Sequence, residues 1–255
     1  VLNYRLFGTL DSSPPLLVLH GLLGSLDNWQ TFAKGQAGKR TVLAVDLRNH
    51  GDSPHVAGMS YRQMVADIVE VLDTLAIPHC DLMGHSMGGK VAMALALQHP
   101  ERIQRLLVVD IAPKMYPPRH QALLQAMSAM PLATLTSRKQ ADEWLSATVK
   151  HPFERGFLLK NLGRNAEGRF YWQCNLPEIT QHYLKISGFP TPAGVFPKPA
   201  LFVRGAQSDY VQDTDIEGIQ QVFPLAALTT IAAAGHLPHV QTPAEFSDVV
   251  NAFLD

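Results

Sequence analysis

Short, wholly apolar runs alternate with longer amphipathic stretches through the first 110 residues, the pattern of a parallel sheet buried on both faces. Leu16-Leu17-Val18-Leu19, Val42-Leu43-Ala44-Val45 and Leu106-Leu107-Val108-Val109 read as buried strands, each running into a polar residue: His20, Asp46 and Asp110. A further short apolar run closes at Asp81-Leu82-Met83. Residues 61–75 predict a helix, with Met64, Ile68, Val71, Leu72 and Leu75 at spacings of three and four and Ser60 as N-cap. From about Pro113 to Pro197 the rhythm breaks. That stretch shows no core strand, only helical patterns near 119–130, 138–150, 152–162 and 176–186, with a polar turn from Arg164 to Gly168. Strands resume at Ala200-Leu201-Phe202-Val203 and Leu228-Thr229-Thr230-Ile231, and a closing helix over 244–254 carries Phe246, Val249, Val250 and Phe253 on one face. The expected fold class is α/β: a mostly parallel, doubly wound sheet built from 1–113 and 198–255, with 114–197 inserted as a helical cap. The C-terminal strand ends form the ligand edge of such sheets, so the insertion is expected to roof a substrate pocket there.

One pentapeptide changes the picture. Gly84-His85-Ser86-Met87-Gly88 stands between an apolar run and the strong helix former Val91–Leu97, which Pro100 stops. A G-x-S-x-G on a strand–turn–helix is a nucleophile elbow. So tight a turn strains the Ser86 backbone and leaves no room for side chains at 84 and 88.

A serine hydroxyl attacks only when a base takes its proton and a third group orients that base. Of eleven histidines, His236 follows the last predicted strand in Ala232-Ala233-Ala234-Gly235-His236 and is expected to be the base. His239 reads as a packed or surface histidine. His85 is adjacent to the nucleophile and is expected beside the substrate rather than at the proton transfer. Two aspartates lie between Ser86 and His236 at strand ends. The reading leans to Asp209, with Asp110 as the alternative. Two N–H donors are needed for the oxyanion: the amide of Met87 at a helix start, and that of Leu22 in His20-Gly21-Leu22-Leu23-Gly24. His20 reads as structural, and Asp46–Ser53 as an ordered turn in which Asp46 and Arg48 pair. Substrate contacts are expected from Leu23, His85, Trp144, Trp172, Tyr210 and Leu237. Met115, Met127, Met130, Phe153, Phe157 and Tyr183 are further candidates from the insertion.

Composition narrows the field. Hydrophobic residues are 46%, charged ones 17% and the net charge −1, which allows a large core and offers nothing to nucleic acid or an anionic membrane. No apolar run approaches the roughly 20 residues of a spanning helix. Two cysteines, Cys80 and Cys174, give neither a disulfide framework nor metal-ligand spacing. No metal or cofactor is expected, and a reducing, cytoplasmic setting is. Val1 is not followed by the charged and apolar regions of a signal peptide. The apolar cap suits a pocket or an interface equally, which leaves the oligomeric state open.

His20-Gly-Leu-Leu-Gly-Ser-Leu-Asp-Asn-Trp29, Asp46-Leu-Arg-Asn-His-Gly51, Gly84-His-Ser-Met-Gly-Gly-Lys90, Asp110-Ile-Ala-Pro113 and Gly235-His236 occur in that order. Together they resemble the small bacterial α/β-hydrolase esterases and the related mitochondrial hydrolases, which act on short acyl esters and thioesters. The resemblance runs across nearly the whole chain and extends into the insertion at Arg138–Leu145 and Arg169–Leu176. It implies an α/β-hydrolase fold, Ser86 as nucleophile, His236 as base, and Leu22 with Met87 as oxyanion donors. It also pulls the acid toward Asp110, because in some relatives the position matching Asp209 is not acidic. The expected protein is a serine esterase acting on short-to-medium acyl esters, with thioesters open. Its partner is a small-molecule ester. Arg119, Lys160, Arg164 and Arg169 are available to steer an anionic substrate. Carbon–carbon bond hydrolases and perhydrolases share the triad and remain alternatives. A non-catalytic binding protein is the alternative from another class, and it has no need for nucleophile, base, acid and both oxyanion donors together.

Overall fold

The computed structural model describes residues 1–11, 13–190 and 194–255. Residues 191–193, inside the expected insertion, and Ser12 lie outside that description. The main sheet has seven strands: β1 (Tyr4–Phe7), β2 (Leu16–Leu19), β3 (Val42–Val45), β4 (Cys80–His85), β5 (Ile103–Val109), β8 (Ala200–Gly205) and β9 (Ala226–Ile231). A separate hairpin pairs β6 (Leu162–Arg164) with β7 (Phe170–Trp172). The main sheet runs in the order β1-β3-β2-β4-β5-β8-β9, parallel throughout except for β1, which pairs antiparallel with β3. The chain leaves β2 toward β3 and then crosses back to β4. The order therefore reverses between β2 and β4, and the crevice of a doubly wound sheet forms at such a reversal. Ser86 directly follows β4.

Alternate residues of each strand feed two cores, as the two-residue period of a strand requires. Leu16, Val18, Ala44, Met83, Leu107 and Val203 pack on one face with α1 (Gln30–Gly35) and α10 (Pro243–Leu254). Leu17, Leu19, Leu43, Leu82, Leu106 and Val108 pack on the other, against α2 (Tyr61–Thr74), α3 (Met87–Gln98) and α8 (Ile216–Val222). Leu106 is fully buried; truncating such a residue to alanine costs about 2–5 kcal/mol. In α3 every residue from Met87 to Ala96 is buried, because the helix lies between the sheet and α2. Helix α2 begins as the pattern predicts. Ser60 Oγ accepts from the Gln63 amide, and Gln63 Oε1 accepts from the Ser60 amide, a reciprocal cap.

Between β5 and β8 the chain builds α4 (Gln121–Ser128), α5 (Arg138–Ser146), α6 (Pro152–Leu158), the β6–β7 hairpin and α7 (Leu176–Ser187). The helix α9 (Pro238–Gln241) follows the last strand. Three helices of this stretch, α4, α5 and α6, are shorter than their patterns; Pro117, Pro118 and Pro131 bracket α4. The hairpin stands where the pattern showed only a polar turn, its strands three residues each and outside the main sheet. Strand β1 was not expected either. It is a half-exposed edge with Arg5 inside it, so it lacks the continuous apolar run of the central strands.

Candidate active site

The elbow is held by backbone contacts. Ser86 has φ 52° and ψ −117°, outside the ordinary regions for an L-residue, and its amide donates to the Val109 carbonyl at 3.0 Å. A Cβ at Gly84 would strike the Gly88 carbonyl, and one at Gly88 the His20 carbonyl. Those two glycines are therefore required by close approach, and the strain at Ser86 is locked in by its neighbours. The hydroxyl is presented at the crevice with the residue 9% exposed.

His236 lies in the loop after β9. Its Nε2 stands 3.1 Å from Ser86 Oγ and its Nδ1 2.7 Å from Asp110 Oδ2. Asp110 is fully buried and also takes the left-handed conformation, at φ 51°. The same carboxylate accepts from the Gly205 amide at 3.2 Å and from the Ser208 hydroxyl. An ionised carboxylate has only acceptors to offer, so Nδ1 carries the imidazole proton and Nε2 is free to accept from the serine. The arrangement can remove a proton from Ser86 and return it to a leaving group.

The structure sets Asp110, not the expected Asp209, against His236. Asp209 is 61% exposed on its side chain and pairs with Arg119, which holds its carboxyl below the usual range. Strand register explains the difference. Val109 of β5 is the partner of His85 in the adjacent strand β4, so Asp110 ends the strand beside the elbow. Asp209 lies one strand further out and four residues past the end of β8. From that loop Ser208, not Asp209, turns inward to Asp110.

The turn carrying Leu22 is braced from behind. His20 Nδ1–H donates to the Gly21 carbonyl at 2.8 Å, and its Nε2 accepts from the Leu47 amide at 3.0 Å. His50 Nε2 accepts from the Leu23 amide at 3.1 Å, with Leu23 at φ 58°. Burial pushes His20 down to about 4 and His50 to about 3, so both are neutral and can accept on one nitrogen while donating from the other. The expected pairing of Asp46 with Arg48 does not occur. Asp46 accepts from Asn3 Nδ2 and the Leu26 and Asp52 amides, while Arg48 makes a two-pronged pair with Asp67. Among the described residues the Leu22 and Met87 amides have no hydrogen-bond partner.

Two cavities meet at Ser86. The larger, about 570 Å³, is walled by Leu22, Leu23, His85, Tyr210, His236 and Leu237, with α4 and α6 opposite. The smaller is a recess of about 40 Å³ behind Met87, reaching Lys90, Ile111, Tyr116 and Tyr183. Four of the six expected substrate contacts thus line the larger cavity. Trp144 and Trp172 do not. Trp144 is 42% exposed, with Nε1–H bonded to the Ala126 carbonyl. Trp172 donates to the Met127 carbonyl and faces a separate groove beside Cys174. Both indoles fasten cap elements to one another. Of the other candidates, Phe157 and Tyr183 reach the cavities, Met127 and Met130 are buried in the cap, and Met115 and Phe153 face solvent.

The contacts of His85 and Lys90 were not expected, and His239 is the packed histidine that was. His85 Nε2–H donates to the His236 carbonyl at 2.7 Å, and burial, with His236 and His239 nearby, holds its imidazole well below the ordinary value. His239 stacks on Trp29 at 4.3 Å. Lys90, one turn after Ser86, is buried and donates to the Ser187 and Gly188 carbonyls at the end of α7. A lone charge on the otherwise apolar helix α3 was its visible signal.

Residues 14–243 match the alpha/beta hydrolase fold family. The chain is 42% identical over 261 residues to the sn-1-specific diacylglycerol lipase ABHD11 of Mus musculus, covering 99% of this chain and 85% of that one. It is 34% identical over 246 residues to the esterase YbfF of Escherichia coli, covering 96% and 94%. A solved marine microorganism esterase superposes with a TM-score of 0.95 at 36% identity, covering 99% and 98% of the two chains. With its elbow, its sheet and these relatives, the chain belongs to the alpha/beta hydrolase fold family.

Proposed function

We propose that Ser86, His236 and Asp110 form the catalytic triad of this carboxylic ester hydrolase, with the Leu22 and Met87 amides as its oxyanion hole. The observation that carries the reading is the unbroken chain Ser86 Oγ, His236 Nε2, His236 Nδ1 and Asp110 Oδ2, at 3.1 and 2.7 Å. Ser86 Oγ attacks the ester carbonyl carbon as its proton passes to Nε2. The carbonyl electrons collect on oxygen, where the two amides receive them; each such donor is worth about 10²–10³ in rate. The imidazolium, its charge opposed by Asp110, then returns the proton to the departing alcohol oxygen. Water repeats the sequence on the acyl-enzyme and releases the acid.

The two cavities support a division of the substrate. The alcohol oxygen must face His236 Nε2 to receive its proton, and His236 borders the larger cavity but not the recess. The alcohol therefore occupies the larger space, within the roughly 300–1,000 Å³ of small-molecule sites. The acyl chain enters the recess of about 40 Å³, which favours short acyl groups and admits esters or thioesters alike. Residues 114–197 act as the cap over this site. Both cysteines are free and buried, which supports a reducing, cytoplasmic setting. No helix of the described residues is long and apolar enough to cross a membrane.

Steady-state hydrolysis of p-nitrophenyl esters from acetyl to palmitoyl, with Ser86→Ala as control, tests the reading. Turnover highest for the shortest chains and lower by about 10⁴-fold or more in Ser86→Ala is expected. Near-normal rates in a folded Ser86→Ala protein would remove the triad assignment, and a palmitoyl optimum would remove the assignment of the recess.

A further inference from the structure

Of the three side chains in the triad, His236 is the least enclosed: 29% exposed, against 0% for Asp110. Hydrogen bonds hold its two nitrogens, but bonds at two edges leave a ring free to tilt about the line between them. Something else holds its face. The Tyr210 ring lies against the imidazole, centroids 3.9 Å apart and planes within 17°. The Arg119 guanidinium also sits over the Tyr210 ring, 5.1 Å from its centroid, and Asp209 pairs with that guanidinium. Arg119 comes from the segment leading into α4, whereas Asp209 and Tyr210 belong to the loop after β8. The segment before α4 therefore reaches the imidazole through the Tyr210 ring.

Tyr210 is itself anchored to the triad. Its amide donates to Ser208 Oγ at 3.3 Å, and Ser208 donates in turn to Asp110. Its carbonyl accepts from Tyr116 Oη at 2.6 Å. Both of these bonds use the Tyr210 backbone, so the ring contributes a face rather than a polar contact. An aromatic face also suits the imidazolium that forms during each half-reaction.

We propose that Tyr210 is a positioning residue. Its ring, which also meets the Arg119 guanidinium paired with Asp209, keeps the His236 imidazole in the plane that joins Ser86 to Asp110. This rests on the triad reading above. Proton transfer is sensitive to such placement, where a misplacement of about 1 Å can cost about 10²-fold.

The test compares Tyr210→Leu, which fills the space without an aromatic face, with Tyr210→Phe, which keeps the face and loses only the hydroxyl. Rates on p-nitrophenyl acetate are measured beside thermal unfolding, with Ser86→Ala in parallel. In Tyr210→Leu, kcat is expected to fall about ten- to a hundredfold while KM moves less than about threefold, and Tyr210→Phe is expected to recover most of that loss. A Phe variant as impaired as Leu overturns the proposal. So does a Leu variant that raises KM and keeps kcat, since Tyr210 would then be only a pocket wall. Should Tyr210→Leu be unfolded at the assay temperature, Arg119→Gln decides from the solvent side: a several-fold loss in kcat supports the stack, and an unchanged kcat overturns it. An active Ser86→Ala would instead bring down the triad itself, which keeps the two failures distinct.

Discussion

The sheet edge and the cap hold their side chains by different means. At the edge, Leu23, Ser86 and Asp110 all take left-handed backbone, at φ 58°, 52° and 51°, conformations that cost about 1–3 kcal/mol each and persist only where surroundings enforce them. Among the described residues of the cap, by contrast, only glycine does so, at Gly168. The cap is fastened by side chains: Trp144 and Trp172 to helix carbonyls, Arg138 to the Leu159 and Leu162 carbonyls, Arg155 to Asp142. Chemistry is thus built on strained backbone that packing cannot easily shift, and the roof on contacts that are individually replaceable.

The two aspartates give the sharpest way to break that contrast, because one belongs to each means of attachment. Asparagine at 110 would present an amide where His236 Nδ1–H needs an acceptor, which favours the wrong imidazole tautomer. A fall in kcat of about 10³–10⁴ is expected for Asp110→Asn. Asp209→Asn weakens an exposed pair with Arg119, and exposed pairs are worth at most about 1 kcal/mol. Its expected loss is about two- to fivefold. Equal losses in the two variants would dissolve the distinction between edge and cap.

The same contrast governs what the sequence disclosed. The signals at the elbow, at His236 and at the Leu22 turn are local: a glycine two residues either side of Ser86, or a Gly-His after a strand, states its own backbone requirement. Five of the main-sheet strands showed as apolar runs because they are covered on both faces; β1, on the edge and interrupted by Arg5, did not. The choice between Asp110 and Asp209 needed strand order. Both follow strands, and only the neighbouring of β4 with β5 puts Asp110 beside the elbow. Trp144 and Trp172 have the size and apolarity of pocket residues, yet their direction depends on how helices and hairpin dock, which no local pattern encodes.

Trp144→Ala and Trp172→Ala are expected to leave kcat/KM for short acyl esters within about threefold of the parent, since neither indole borders the cavities at Ser86. Both are expected to lower the unfolding temperature. Each removes a bond to a helix carbonyl, worth about 0.5–1.5 kcal/mol, together with packed aromatic area. Activity profiles across acyl chain length, beside thermal melts, check this. A change in chain-length preference without a change in stability would put the indole in the substrate path after all.

Lys90 is where edge and cap meet, and the effect argued there is on stability. It rises from the first turn of α3 and donates to the Ser187 and Gly188 carbonyls at 2.8 and 2.7 Å, with the Tyr116 ring 4.8 Å away. Burial pushes its ammonium down from 10.5 to about 7. An unfolded chain keeps that proton until pH about 10.4, so between about 7 and 10 the unfolded state binds more protons than the folded one. Stability must therefore rise with pH across that window, by at most about 1.4 kcal/mol per unit for one proton. Lys90→Met carries no such proton. Urea midpoints of parent and variant should diverge in the parent's favour from pH 7 to pH 9, and run parallel below pH 6, where the lysine is charged in both states. A constant difference across the whole range would mean that the two carbonyls and the Tyr116 face hold the proton on Lys90 throughout. The cap would then be tied to the nucleophile's helix by a permanent buried charge.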